Sequence, residues 1–316
     1  MSTIELMSLL ELGLLYGVMT MGIYLSYRIL NVPDLTVDGT FTLGAALSVY
    51  LCSIGHPILG LGLGSCAGGV AGMVTALLQT KFKIQPILSG ILTMTGLYTI
   101  NIWAMGGKAN IALGTKESIF IKLKQVMGTG SSYLLLSLGI VVLILIFLAI
   151  FLNTPLGLCI RATGDNEEMV KSSSIDVDRM KIVGLGLANM LVGLSGGLIG
   201  QYQGFSDANM GTGMVIIGLA SLIIGESIFG NLYELMFKNK VLGISLISVV
   251  LGSIGYRAVI WGALELNISP TSMKLISASI ITLAIAMPTI KAKYKLEKRK
   301  KNHQKQERGD LYANIN

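Results

Sequence analysis

Runs of about twenty predominantly apolar residues recur along the whole chain, and nothing else limits its fold so strongly. A helix of roughly that length crosses the hydrocarbon core of a bilayer with every backbone group bonded internally. Such runs are read at about 8–30, 38–55, 57–79, 86–104, 132–152, 182–203, 213–229, 239–260 and 272–290. Three are weaker: 38–55 opens on polar residues, 57–79 is rich in glycine, and 213–229 is short. Of the 316 residues, 52% are hydrophobic and only 13% are charged, where a soluble domain carries about 25%. A chain this apolar could not cover a water-facing surface. Its 39 glycines suit helices that approach closely inside a membrane. The expected fold is all-α: a polytopic membrane domain over 1–290 with about nine spans, followed by a basic tail over 291–316 that is expected to be disordered.

The net charge of +7 belongs largely to that tail, where nine basic residues face three acidic ones. A short basic run after a last apolar segment faces anionic lipid or fixes topology, so nucleic-acid binding is a poor reading. With the tail on the cytoplasmic side, that side collects 18 of the 24 Lys and Arg residues. The outside keeps Lys108, Lys116, Lys122, Lys124, Arg257 and Lys274. This is the sense of the positive-inside rule, and it puts the N-terminus outside. The opening "MSTIELMSLLELGLL" lacks a basic region and reads as an uncleaved first span. Trp103 and Trp261 fall at outer helix ends, where an aromatic belt belongs. In the loop 105–131, "ESIFIKLKQVM" has amphipathic spacing and reads as an interfacial helix, with a re-entrant segment as the alternative.

Chemistry-bearing motifs are scarce. There is no phosphate-cradling GxxxxGK[ST] and no HExxH, and the two histidines fall in a loop and in the tail. "GLSGG" lies within an apolar run and lacks the strand that a nucleophile elbow needs. The expectation is a protein with no catalytic residues, no metal site and no cofactor.

The segment 153–181, "NTPLGLCIRATGDNEEMVKSSSIDVDRMK", is the longest predicted cytoplasmic connection before the tail. Thr154 and Pro155 break the preceding helix. Asp165 or Asn166 can cap a short helix whose first turn holds Glu167 and Glu168, where the helix dipole favours anions. Lys171 follows Glu167 at i+4. Thr154, Leu156, Gly157, Arg161, Ala162, Gly164, Asn166, Glu168 and Ile175 match a pattern that resembles the permease subunits of bacterial ABC importers, in the branch for branched-chain amino acids and simple sugars. The chain departs from it at Met169, Val170 and Ser174. With "PDLTVDGTFTLGAA" and "GLASLIIGES", the departures resemble the narrower permease family of importers for tryptophan or other aromatic amino acids.

That resemblance covers roughly 8–290 and implies a division of labour. Two ATP-binding subunits would dock on the cytoplasmic side, an external substrate-binding lipoprotein would deliver cargo, and a second permease copy would complete a homodimer in the bacterial inner membrane. It implies a coupling helix in which Gly164, Asp165, Asn166, Glu167, Glu168 and Met169 meet the ATPase and Arg161 anchors the entry.

Acids within spans are costly and seldom face lipid. Glu11 lies near the end of the first span and can snorkel. Glu226 can line the path or pair with a base such as Lys238. In "NVPDLTVDGTFTLGAA", Pro33 stops one helix and Gly39 loosens the backbone. Asp38 is expected to accept the free N–H groups of its own helix from Thr40, while Asp34 faces water. This is the pattern of a discontinuous second helix whose start borders the pathway. "SDANMGTGMVIIGLAS" (206–221) repeats the arrangement of acid, Gly-Thr and small-residue span, so the two segments are expected to meet as halves of an inverted repeat. The reading is a permease for an aromatic or other hydrophobic amino acid. A sugar, nucleoside or other small-metabolite permease is the alternative within the class, and a stand-alone secondary transporter or an intramembrane enzyme is the alternative outside it.

Overall fold

The computed structural model describes residues 3–114, 117–128, 132–236 and 242–265, together with Leu275, Ala278, Ser279 and Thr282. The chain divides into two units, Met1–Asn267 and Ile268–Asn316. In the second, the four described residues are helical, and the Ser279 and Thr282 hydroxyls donate to the carbonyls of Leu275 and Ala278. The rest of the expected ninth span and the basic tail lie outside the described residues.

In the first unit, α1 (Thr3–Ile23) runs on into a π-helical segment, Tyr24–Ile29. It is followed by α2 (Thr36–Ser53), α3 (Pro57–Thr80), α4 (Pro86–Ala104), α5 (Ile119–Met127) and α6 (Ser132–Leu152). Two short helices, α7 (Pro155–Asp165) and α8 (Glu167–Ser172), then lead to α9 (Val177–Gln203), α10 (Met214–Met236) and α11 (Leu242–Glu265). Strands β1 (Asn110–Ala112) and β2 (Phe205–Asp207) pair antiparallel. Proline opens α3, α4 and α7, at a position where its missing N–H has no helical partner to lose. The Thr154 side chain caps α7, accepting from the Gly157 amide, and the Asp176 side chain caps α9, accepting from the Arg179 amide.

Among the described residues, six helices are long and apolar enough to cross a membrane: Ile4–Ile29, Pro57–Thr80, Pro86–Ala104, Ser132–Leu152, Val177–Gln203 and Ser245–Glu265. Two of the three weak expectations, 38–55 and 213–229, are present as α2 and α10, with α2 starting earlier, at Thr36. Arg257, counted with the outer side near the end of the expected span 239–260, lies inside α11, which runs on to Glu265.

The most apolar of these helices is also the least buried. The most apolar 18-residue window of α6 has a mean hydropathy of 3.3 and is 22% buried, whereas that of α9 has 1.9 and is 72% buried. The core is built around α2, which packs on α9, α3 and α4. Small residues allow this. A methyl group placed on Gly44 of α2 would run into the Gly193 carbonyl of α9, and one on Gly64 of α3 would lie 2.9 Å from the Gly44 carbonyl. Three backbones therefore touch almost directly at one level, the close approach that small residues permit between membrane helices.

Candidate translocation site and loop face

Helix α2 does not start level with the first turn of α4. Gly90 of α4 packs against Leu35, and Gly39 packs against Leu97, past the midpoint of α4. The opening turn of α2 thus lies about one turn beyond that of α4. The two aspartates beside it have roles other than those expected. Asp34 does not face water. It is 6% exposed, its Oδ1 accepts from the Thr36 amide at 2.8 Å, and its Oδ2 accepts from Asn189 Nδ2 of α9 at 2.6 Å. Asp34 therefore closes the start of α2.

Asp38, one turn on, does not cap its own helix, which has already begun. Its Oδ2 accepts from the Gly213 amide at 2.8 Å and its Oδ1 from the Val215 amide at 2.9 Å, at the start of α10. The Thr42 hydroxyl oxygen accepts from the Gly211 amide at 2.9 Å. From this junction α2 runs toward the β-strands, since Ala46 packs with Met105 and Ala208. Helix α10 runs the other way, bringing Glu226 to Arg28 at the end of α1. Two helix N-termini, each the positive end of a dipole and each short of acceptors, meet head to head inside the bundle. A carboxyl at the junction serves both needs. The segments 31–46 and 206–221 are therefore in contact, as their similarity suggested.

Other polar groups hold the same level. The Thr36 and Thr75 hydroxyls are 2.7 Å apart, and Thr75 donates to Thr93 at 2.9 Å, linking α2, α3 and α4. Asn101 donates to the Gly39 carbonyl at 3.2 Å. Thr40 is fully buried and returns its hydroxyl to the Thr36 carbonyl at 2.9 Å. Gly39 and Thr40 are thus packing positions in the closed junction. Beside it lies an apolar groove of about 820 Å³, lined by Leu43, Val74, Leu97, Ile100, Trp103 and neighbouring residues, with Thr93 contributing a hydroxyl.

Of two further acids, Glu226 takes one of its expected roles, pairing with a base, and Glu11 departs from expectation. Glu226 pairs with Arg28 at 3.0 Å, whereas Lys238 lies outside the described residues. Glu11 does not snorkel. It is 5% exposed and accepts from the Tyr202 hydroxyl at 2.8 Å, in a cluster where Phe120, Tyr133 and Tyr202 meet edge to face.

The loop 153–181 forms two helices. Asn166, rather than Asp165, caps the second, its Oδ1 accepting from the Met169 amide at 3.1 Å. Asp165, Asn166, Glu168 and Met169 are exposed, and Met169 presents 65% of its surface. Glu167 turns back to Lys181 at 2.5 Å, with Lys171 at 4.0 Å. Arg161 is half-buried on α7. Gly164 fits against the Ile29 carbonyl, where a methyl group would collide, so the end of α7 rests directly on the π-helical end of α1.

At the opposite end, the amphipathic segment forms helix α5, with Phe120 buried and Lys122 and Lys124 exposed. Sequence reasoning missed what ties it down. Gln201 Oε1 accepts from the Ile119 amide at 3.1 Å, and Gln201 Nε2 donates to Ser48 Oγ at 2.9 Å and to the Pro57 carbonyl at 2.8 Å. A polar residue in the last turn of an apolar run was the available signal. The β1–β2 pair gave none.

Comparison with known proteins yields consistent results. A family model described as "Branched-chain amino acid transport system / permease component" matches residues 6–286. A tyrosine transport system permease protein from Clostridioides difficile is 36% identical over 89% of this chain and 90% of its own length. An uncharacterized protein from Rickettsia prowazekii is 30% identical over 89% and 96%, respectively. A ribose import permease protein from Haemophilus influenzae is 25% identical over 69% and 66%. No solved structure matches.

Proposed function

The chain belongs to the family of branched-chain amino acid transport permease components, and from that premise we propose that its cargo is an aromatic amino acid. As a member it is the multi-pass membrane component of an ABC importer for an amino acid or a sugar, working with ATPase and substrate-binding partners, and is not itself a catalyst. The observation that carries the aromatic reading is the match along nearly the full length of both chains to a protein named for tyrosine transport. The ribose permease relative supports sugar as the second reading, at lower identity and coverage.

In this reading two copies assemble with two ATPases and one external receptor, with the N-terminus outside and the C-terminus in the cytoplasm. The α7–α8 loop is the coupling element. Asp165, Asn166, Glu168 and Met169 meet the ATPase, Arg161 anchors the entry, and Glu167 holds α8 to α9 through Lys181. A push on α8 reaches the π-helical end of α1 through the contact of Gly164 with Ile29. It reaches α10 through Arg28 and Glu226, and arrives at the junction that Asp38 closes. The Arg28–Glu226 pair is largely exposed, with side chains at 60% and 38%, so it contributes little stability and acts as a positional link. Separation of α2 from α10 is then the opening step.

The test is uptake in vesicles containing permease and ATPase, with receptor added outside. Tyrosine or phenylalanine uptake that requires ATP is expected. ATP-driven uptake of ribose in place of either amino acid would overturn the cargo. Amino-acid uptake driven by an ion gradient without the ATPase would overturn the coupling. Glu168→Lys combined with Met169→Asp is expected to weaken ATPase association about tenfold, the effect of roughly 1.4 kcal/mol, and to leave receptor binding unchanged. Co-purification with the ATPase measures the first and receptor titration the second.

A further inference from the structure

The seam between α1 and α11 is antiparallel: Gly13 rests on Ile254, Gly17 rests on Val250, and Ser253 Oγ donates to the Gly13 carbonyl at 2.7 Å. Arg257 therefore leaves α11 about one turn nearer the Glu265 end than the Gly13–Ile254 crossing. Tyr16 leaves α1 about one turn on the other side of that crossing. Yet the Arg257 guanidinium lies over the Tyr16 ring, 4.0 Å from its carbon to the ring centroid. An arginine in a span normally extends toward the nearer interface. Arg257 is turned the opposite way, into the bundle.

What it meets there is aromatic. Tyr16 is stacked on Phe41 of α2, with centroids 6.1 Å apart and planes 9° from parallel. The same cluster contains Met214, in the first turn of α10. Arg257 Nε is buried and has no acceptor, and among the described residues no carboxylate lies within ion-pair distance of the guanidinium. Glu11, on the same helix as Tyr16, is bonded to Tyr202 instead. The ring lies against one face of the guanidinium, and the in-plane Nε–H is left without an acceptor. An Nε–H and Nη–H edge is the fork that receives a planar carboxylate in two parallel hydrogen bonds.

We propose that Arg257 is the anchor for the α-carboxylate of the solute as it passes the α2–α10 junction, with Tyr16 and Phe41 holding the guanidinium in place. This rests on the amino-acid cargo proposed above. The charge is placed where a weak, transient partner of opposite sign must pass, which accounts for an intramembrane cation that no acid of the described chain neutralises.

The experiment compares wild type, Arg257→Lys and Arg257→Gln in the assembled importer in vesicles, with receptor loaded with tyrosine or with tyrosine carboxamide. The same loaded receptor serves every variant, so the receptor's own preference cancels. Wild type is expected to import tyrosine at least tenfold faster than the carboxamide. Arg257→Gln should slow tyrosine about tenfold and leave the carboxamide rate unchanged, which also shows that the variant is folded. Arg257→Lys, with the charge but not the fork, should fall between. Equal slowing of both cargoes, or of neither, overturns the anchor and leaves the cargo reading intact. A loss confined to phosphatidylglycerol vesicles and absent in phosphatidylcholine assigns the guanidinium to a lipid phosphate and likewise overturns it. Wild type that hydrolyses ATP on meeting loaded receptor yet imports no amino acid overturns the cargo reading, and the anchor with it.

Discussion

Asp38→Ala is expected to abolish uptake and to lower the stability of the permease by about 3–5 kcal/mol, because it removes both acceptors from the start of α10. The two amides it serves, Gly213 and Val215, are partly buried. Each hydrogen bond to a charged group contributes roughly 1.5–3 kcal/mol, and a buried donor left without a partner costs its full desolvation. Asp38→Asn keeps one carbonyl acceptor and should lose about half as much. Thr42→Ala removes only the acceptor for Gly211, so a loss near 1 kcal/mol is expected. The graded order Ala, Asn, then Thr42→Ala, read by unfolding in detergent, is specific to a capping role. If Asp38 instead contacted only solute, Asn and Ala would both stop transport while stability stayed at the wild-type value, and the capping account would be wrong.

Gly44→Ala is expected to be nearly as damaging, by a different physical route. The added methyl has nowhere to go, since the Gly193 carbonyl occupies its place and Gly64 closes the third side. Overpacking a rigid core costs about 1–3 kcal/mol and occasionally more. Here the obstruction is backbone on both neighbours, so the upper end, about 3 kcal/mol, is expected. The control is another glycine on a helix. Gly62 of α3 and Gly139 of α6 have open space around the added methyl, and alanine there should be neutral or stabilise by up to about 1 kcal/mol through helix propensity. Melting temperatures of the three variants in one detergent separate the cases. Similar values for all three would remove the close three-backbone approach from the account of this fold.

How far the sequence could be read depended on what each residue faces. Helix α6 was the plainest expectation because it is the least buried of the apolar helices, so few protein contacts shape its composition. Helices α2 and α10 were the weak ones for the opposite reason. Their neighbours are protein, which supplies partners for Asp38, Thr36 and Thr42 and removes the need for uniform apolarity. The capping rules picked out the acids at 34 and 38 but gave the start of α2 to the wrong one, since Asp34 closes it and Asp38 serves α10. Capping is read locally in sequence, whereas the amides that need Asp38 lie at 213 and 215. The resemblance between 31–46 and 206–221 carried the long-range information that the local rule lacked. For the loop face, Asn166 as a cap and the pair of Glu167 with Lys171 followed from spacing alone. The bond from Lys181 to Glu167 did not, because it joins two helices across a turn.

The position of α2 has a consequence for the order in which the chain is built. It is enclosed by its neighbours, yet it is not among the helices apolar enough to cross a membrane unaided. Its principal partner, α9, begins at Val177 and leaves the ribosome long after α2 does. At synthesis rates of about 5–20 residues per second, that interval is several seconds or more. During it α2 has only α1, α3 and α4 for shelter, and the Thr36–Thr75–Thr93 contacts are the polar ones it can already make. Asn189, Gln201 and the amides at 213 and 215 arrive last, and each completes a bond that the N-terminal half holds open. The enclosure of α2 is then completed at the same junction that, in the proposed cycle, parts for cargo, before α11 packs on α1 and α10.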